Sequence, residues 1–205
     1  METWLPPAEA PPISWSTIHQ SLCRANRAPS PHKLSPWVPE SSRRAAVAVV
    51  LWGDEAGARR IVLVQRGHTA PQHAGELAFP GGMVEPGDRD LPATARRELT
   101  EELGITEQLW ELGCFPDGIA KARTRFTPVF FRWEAPHIRL HPGYEIHAAL
   151  SLPLAALLQA PWAPEPLEHQ GISIQAWRLG LPTAPLWGAT AYVLKAWLDV
   201  LDSVR

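Results

Sequence analysis

The chain has 205 residues, of which 45% are hydrophobic and 20% are charged, and its formal net charge is −2. This length corresponds to one ordinary domain, or to one domain with an extension, and the composition excludes wholesale disorder. The near-neutral balance gives no basic footprint for duplex nucleic acid or for an anionic membrane, so neither is an expected partner.

The first 42 residues are rich in proline, and the prolines leave room for one short helix around residues 16–25. We interpret residues 1–42 as a proline-rich arm that lies on the domain or is partly mobile, and residues 43–205 as the domain. No signal-peptide pattern is present in the first 20 residues. Cys23 and Cys114 are too few for a disulfide framework, so we expect a cytoplasmic location.

Two apolar runs, residues 45–52 and 60–66, predict buried strands. Residues 76–80 are predicted to be extended, because Phe79 precedes a proline. Strands are also predicted over residues 110–115, 127–133 and 172–179, and helices over residues 152–159 and 188–204. Strands and helices therefore alternate, which indicates an α/β domain.

The clearest element is a helix between Asp90 and Gly104. Asp90 can cap it, and Gly104 can end it in the left-handed conformation. Glu98, Glu101 and Glu102 flank its apolar stripe, so their like charges repel one another. Divalent cations such as Mg²⁺ take carboxylate oxygens as ligands. The pattern therefore indicates a cation site, with a solvated acidic face as the alternative.

A glycine loop from Gly81 to Asp88 lies directly upstream of this helix. Together with residues 97–105 it resembles the signature of the Nudix hydrolases, Gly-x5-Glu-x7-Arg-Glu-U-x-Glu-Glu-x-Gly-U, where U is aliphatic. Positions 97–105 all fit. Two departures are present, because Asp88 stands where Glu is usual and eight residues rather than seven separate it from Arg97.

The resemblance implies a Nudix-type α/β/α sandwich with a mixed β-sheet, and metal-dependent hydrolysis of a nucleoside diphosphate derivative. It implies that Glu98 and Glu102 bind Mg²⁺ or Mn²⁺ and that the Gly81 carbonyl completes the shell. Glu101 would be a further ligand or would shape the catalytic site, and Arg97 would orient the carboxylates. The implied partner is a small-molecule nucleotide substrate, and a homodimer is left open.

The segment before the glycine loop is similar to the additional motif of the coenzyme A pyrophosphatase branch, Leu-Leu-Thr-x-Arg-(Ser/Ala)-x3-Arg-x3-Gly-x3-Phe-Pro-Gly-Gly. Arg66, Gly75 and residues 79–82 fall at the expected spacings. Members of that branch often carry Asp and one extra residue in the box, as this chain does. Gly67 and Pro71 depart from the motif, and Pro71 lacks the donors that an arginine offers to phosphate.

Further candidate residues come from the same resemblance and from basic groups elsewhere in the sequence. Arg66 is implied to bind substrate, and His73, Arg123 and Arg125 could serve the adenosine phosphates in place of the missing arginine, although each could instead be an ordinary surface residue. Glu145 begins a segment that resembles the branch's sequence of a Glu, a strand and a Pro-Leu helix start. Glu145 is therefore the candidate for an additional metal ligand or for the general base, with a surface loop acid as the alternative.

We therefore expect hydrolysis of the pyrophosphate of coenzyme A or acyl-CoA, giving 3′,5′-ADP and 4′-phosphopantetheine. A Nudix hydrolase of ADP-ribose or of a dinucleotide is the alternative that Pro71 favours. A non-catalytic Nudix module that senses a nucleotide or binds a partner is the other alternative. Retention of all three helix carboxylates argues against that module.

Overall fold

The computed structural model describes residues 12–27, 43–53, 58–67, 74–106, 109–120, 124–134, 146–169 and 172–205. Its helices are α1 (Trp15–Arg27), α2 (Leu91–Leu103), α3 (Leu154–Leu158) and α4 (Gly188–Asp202). Its strands are β1 (Arg44–Gly53), β2 (Arg59–Arg66), β3 (Leu77–Ala78), β4 (Gly81–Met83), β5 (Leu109–Cys114), β6 (Gly118–Ala120), β7 (Thr124–Trp133), β8 (Ile146–Pro153), β9 (Ala163–His169) and β10 (Ile172–Arg178). In the described part of the chain, no helix is both long enough and apolar enough to cross a membrane.

Among the described residues, strands β1 to β8 form one mixed sheet with β1 near its centre. β1 pairs in parallel with β7 from Arg44, opposite Arg125, to Trp52, opposite Trp133. On its other side β1 pairs antiparallel with β4 at residues 45–47 and with β2 at residues 51–53. β4 and β2 therefore pair with successive parts of the same edge of β1. The first residues of the glycine loop, which form β4, are thus part of the sheet.

Alternation along β1 divides the core into two layers. Residues 46, 48 and 50 pack against α2, in one buried cluster with Leu99 and Leu103. Residues 49 and 51 belong to a second buried cluster on the opposite face, which includes residues of α1, α3 and α4. Because successive strand residues point to opposite faces, each face of the sheet receives a helical layer. The predicted α/β/α sandwich with a mixed sheet is confirmed.

The remaining differences from the predicted elements are small and have local causes. Helix α3 is shorter than the predicted helix over residues 152–159, because residues 152 and 153 finish β8. The short strands β4 and β6 contain glycine, which is a weak strand former. β9 contains Pro164 and Pro166, which argue against a central strand, but it belongs to a separate two-stranded sheet where both strands are edges.

Helix α1 lies in the segment that we interpreted as an arm. Ile18 and Leu22 are buried in the same cluster as Trp197 of α4. The Trp197 indole N–H donates a 2.9 Å hydrogen bond to Oγ of Ser21, which is itself buried. The part of the arm that the structure describes therefore contributes to the core, while the boundary at residue 42 stays a prediction.

We expect Leu22→Ala to destabilise the fold by about 2–5 kcal/mol, the usual cost of truncating a buried leucine. Gln20→Ala, on the exposed side of the same helix, serves as the matched control and should change stability by less than about 0.5 kcal/mol. Urea unfolding of both variants measures the difference. Equal stability of the two variants would mean that α1 is a detachable arm.

Candidate active site

Helix α2 carries the three candidate carboxylates and is fixed at both ends. Oδ1 of Asp90 accepts a 2.8 Å hydrogen bond from the backbone N–H of Ala93, and Gly104 ends the helix with a φ of 67°. Leu99 is fully buried against the sheet. The predicted helix and its two caps are confirmed, and the buried stripe sets the rotation that brings the carboxylates to β4.

The diglycine of β4 is required by close approach on two sides. A Cβ at Gly81 would lie 2.5 Å from the Ala46 carbonyl oxygen, and the φ of Gly81 is +156°. A Cβ at Gly82 would lie 2.1 Å from Oε1 of Glu98. Glycine at residue 81 therefore allows β4 to pair with β1, and glycine at residue 82 allows the Glu98 carboxylate to lie against the backbone of β4.

Glu102 is nearly buried, with a side chain that is 10% exposed. Its Oε2 accepts a 3.1 Å hydrogen bond from the backbone N–H of Gly81. Its Oε1 lies 3.7 Å from Nη1 of Arg66, at the end of β2. The Glu102 carboxylate thus connects α2 to the diglycine of β4 and to Arg66 of β2.

Arg97 connects the helix to the glycine loop. Its Nε donates a 3.2 Å hydrogen bond to Oδ1 of Asp88, and its Nη2 donates a 3.2 Å hydrogen bond to Oδ2 of the same carboxylate. Nη2 also donates to the Met83 carbonyl at 2.8 Å. Nη1 donates to Oε1 of Glu98 at 2.9 Å and to Oε2 of Glu101 at 3.0 Å. A single guanidinium therefore holds three carboxylates in place.

These contacts shift the acidities of the groups involved. Burial raises the pKa of Glu98, against the opposing effect of its hydrogen bond from Arg97. The hydrogen bonds from Arg97 and then from the Glu85 backbone N–H lower the pKa of Asp88 to about 2. The hydrogen bond to Asp88 is the largest cause of the raised pKa of Arg97, which remains charged. A partly desolvated Glu98 carboxylate gains from any further positive charge beside it.

The structure brings together six of the residues that the sequence singled out: Arg66, Gly81, Arg97, Glu98, Glu101 and Glu102. Arg125 lies apart from them on β7, where its Nε donates to Oδ2 of Asp117. His73, Arg123 and Glu145 lie outside the described residues, so their roles stay predictions.

Asp117 is a residue that the sequence reasoning missed. Besides Arg125 it binds Thr127, whose hydroxyl donates to Oδ1 of Asp117 at 2.5 Å. Arg125 and Thr127 are two positions apart on one strand, and polar residues at that spacing share a sheet face. That spacing was the available signal, but nothing in the sequence pairs it with Asp117.

The donor set fits a divalent cation by its chemistry. Carboxylate oxygens are the ligands that Mg²⁺ and Mn²⁺ prefer, and the absence of a Cβ at Gly82 makes room for the Glu98 carboxylate beside β4. Among the described residues, no three acids, histidines or cysteines already stand together as a ligand cluster. Arg97 and the Gly81 N–H hold the carboxylates in the present arrangement.

Gly82→Ala is expected to displace the Glu98 carboxylate without unfolding the protein, because the clash is with the end of a side chain. We expect affinity for Mn²⁺ to fall roughly 10- to 100-fold, as when groups that orient metal ligands are changed. Calorimetric titration with Mn²⁺ measures the change. The control is Gly87→Ala in the same loop, where a Cβ would meet nothing within 4 Å. Equal affinities of the two variants would exclude the Glu98 contact from cation binding.

The lowered pKa of Asp88 makes its ion pair with Arg97 dependent on pH. The charged form stabilises the folded state at pH values above 3.8, and this contribution disappears as the pH falls towards 2. We expect Asp88→Asn to be less stable than the unmodified chain at neutral pH, and the difference to shrink between about pH 4 and pH 2. Urea unfolding across this range tests it. A difference that stays constant at pH 2 would contradict the electrostatic explanation.

Comparison with known proteins agrees with this geometry. The sequence model of the NUDIX domain family matches residues 42–170. The uncharacterized Nudix hydrolase NudL of Salmonella paratyphi B is 32% identical over 164 residues, which cover 76% of this chain and 81% of the relative. The chloroplastic Nudix hydrolase 22 of Arabidopsis thaliana is 28% identical over 163 residues, which cover 74% of this chain. This chain spans only 53% of the length of that plant relative.

A solved structure resembles the fold. The Nudix hydrolase RenU of M. smegmatis has a TM-score of 0.56 at 15% identity, covering 80% of this chain and 88% of that one. Proteins of the Nudix family are hydrolases of nucleoside diphosphate derivatives that generally use divalent metal ions. The matched segment contains the whole carboxylate helix and the diglycine turn, and the chain therefore belongs to the Nudix hydrolase family.

Proposed function

We propose that this Nudix hydrolase cuts the pyrophosphate of coenzyme A or acyl-CoA, giving 3′,5′-ADP and 4′-phosphopantetheine. The carboxylates of α2 support the chemistry, and the segment from Arg66 to Gly82 supports the substrate by its resemblance to the coenzyme A pyrophosphatase motif. The name of neither curated relative specifies this substrate. Pro71 is the departure that keeps ADP-ribose or a dinucleotide as a second candidate substrate.

The contact of Glu102 with both Gly81 and Arg66 is the observation that carries this proposal. Arg66 belongs to the upstream motif, whereas Glu102 belongs to the carboxylate helix. Their side chains meet at the diglycine, so the two sequence motifs form one site. A guanidinium 3.7 Å from a metal-binding candidate is suitably placed to bind an oxygen of the phosphate that reacts there.

The residues of this site divide into proposed metal ligands and residues that position them. Glu98 and Glu102 would hold Mg²⁺ or Mn²⁺, with Glu101 as a further ligand. Such an ion neutralises phosphate oxygens and lowers the pKa of a bound water. Arg97 fixes the positions of the carboxylates through hydrogen bonds to Glu98 and Glu101. Glu145 is retained as the proposed additional ligand or general base.

A substrate panel tests the proposal directly. The purified protein is incubated with Mg²⁺ or Mn²⁺ and with coenzyme A, ADP-ribose, dinucleotides or nucleoside triphosphates, and the products are identified. We expect 3′,5′-ADP and 4′-phosphopantetheine to form fastest. Faster cleavage of ADP-ribose or a dinucleotide would replace the substrate, and turnover of none of them would favour a binding module. We retain a cytoplasmic location as part of the proposal, and size-exclusion chromatography would decide whether the chain forms a homodimer.

Glu102→Gln removes one negative charge from the proposed metal site while keeping the shape of the side chain. We expect kcat to fall about 10²-fold or more, on the order of one lost electrostatic contact in a transition state. Glu111→Gln, at an exposed position of β5, is the matched control and should leave kcat unchanged. Unchanged activity of Glu102→Gln would remove Glu102 from the mechanism.

A further inference from the structure

Two arginines lie side by side in the sheet, at the edge next to the glycine loop. Arg44 begins β1 and is directly opposite Arg125 of β7 in the parallel register. Arg44 is exposed, and the Arg125 side chain is 39% exposed. Neighbouring strands are about 4.8 Å apart, and like charges directly opposite each other are destabilising. The pair therefore gains from an anion between or above the two guanidiniums.

Both arginines point to the face of the sheet that α2 covers. Residues 46, 48 and 50 of β1 and residues 129 and 131 of β7 belong to the cluster around α2. Alternation along each strand places Arg44 and Arg125 on that same face. The carbonyl of Arg44 also accepts a 3.0 Å hydrogen bond from the backbone N–H of Val84. The arginine pair is therefore joined to the glycine loop of the active site.

Arg125 is fixed in orientation by Asp117. The Asp117 carboxylate binds the Arg125 Nε through Oδ2 and the Thr127 hydroxyl through Oδ1. Nε is one edge of the guanidinium, and the structure gives Nη1 and Nη2 no acceptor among the described residues. A guanidinium held in this way presents its remaining donors as a fork suited to phosphate.

The charges of this group do not balance. Asp117 compensates one of the two guanidiniums, and no ion pair of Arg44 is found within the described ranges. The pair also lies close to the carboxylates without touching them. Gly82, Ala46 and Thr127 form one row across β4, β1 and β7. Thr127 is therefore roughly 10 Å from Gly82, which is two strand spacings.

From this arrangement we propose that Arg44 and Arg125, with Asp117 as a positioning residue, form a second phosphate subsite. It would bind a phosphomonoester that the substrate carries in addition to the pyrophosphate that is cut. This inference rests on the proposed function, in which that group is the 3′-phosphate of coenzyme A. The subsite would supply, from β1 and β7, a phosphate contact that Pro71 cannot make in place of the arginine of the branch motif.

Binding of two nucleotides that differ by one phosphate tests the subsite without turnover. Adenosine 3′,5′-bisphosphate and AMP are titrated into the protein by calorimetry in the presence of Mg²⁺. We expect Arg125→Ala to weaken binding of the bisphosphate about tenfold, the effect of one lost charge-assisted hydrogen bond, and binding of AMP less than twofold. Arg44→Ala should act in the same direction. It provides a second test at a residue that does not contact Asp117.

The controls separate recognition from stability and from net charge. Arg24→Ala removes the same charge from the exposed side of α1, on the opposite face of the sheet, and should leave both affinities unchanged. Thermal unfolding of each variant monitors the fold. If Arg125→Ala and Arg44→Ala weaken both nucleotides equally, or weaken neither, the phosphate subsite is excluded.

Kinetics then distinguish failure of the subsite from failure of the proposed function. KM is measured for coenzyme A and for 3′-dephospho-coenzyme A in the unmodified chain and in both variants. A rise in KM confined to coenzyme A, with kcat unchanged, supports the subsite. If both substrates are cleaved and both KM values respond alike, the subsite fails while the function stands. If neither substrate is cleaved, the proposed function fails and the calorimetric comparison alone decides on the subsite.

Discussion

The hydrogen bonds of Arg97 are the interaction on which the rest of the site depends. Without a positive charge between them, the carboxylates of Glu98 and Glu101 would repel each other, because residues three apart are neighbours on the surface of a helix. Arg97 donates to both of them and, with its other nitrogens, to Asp88 and to the Met83 carbonyl. The guanidinium thus offsets part of the negative charge of the helix and ties the loop between β4 and α2 to the helix. The hydrogen bonds of Arg97 therefore fix both the conformation of the loop and the positions of the Glu98 and Glu101 carboxylates.

The second constraint is the space available above β4. The strand pairs with β1 at residues 45–47, where a Cβ at Gly81 would meet the Ala46 carbonyl. Leu99 and Leu103 bury the helix against the same part of the sheet. Packing of α2 and pairing of β4 with β1 therefore bring the carboxylates into direct contact with the backbone of β4, which has no side chains at residues 81 and 82. Glycine is needed there for packing as much as for backbone conformation, and this explains how Glu102 can bind a main-chain N–H.

Local signals in the sequence were sufficient for α2 but not for the contacts around it. Asp90 and Gly104 mark its ends, and the leucine spacing marks its buried side, so all of this information lies within fifteen consecutive positions. The pairing of β4 with β1, and the binding of Arg125 by Asp117 in the connection between β5 and β6, join separate segments of the chain and could not be predicted from any one of them. The burial of α1 was not predicted, although Ile18 and Leu22 are four positions apart and therefore share one side of a helix. The surrounding prolines favoured an arm instead, because composition says nothing about docking.

Charge also explains why the basic residues stand where they do. Asp88, Glu98, Glu101 and Glu102 outnumber the guanidiniums of Arg66 and Arg97 that contact them. The cluster by itself would repel a pyrophosphate, and only an added divalent cation offsets its negative charge. Further arginines in contact with these carboxylates would neutralise more of their charge and compete with that cation. Arginines on β1 and β7, one and two strands from β4, would attract the other end of an anionic substrate and leave the carboxylates available for metal.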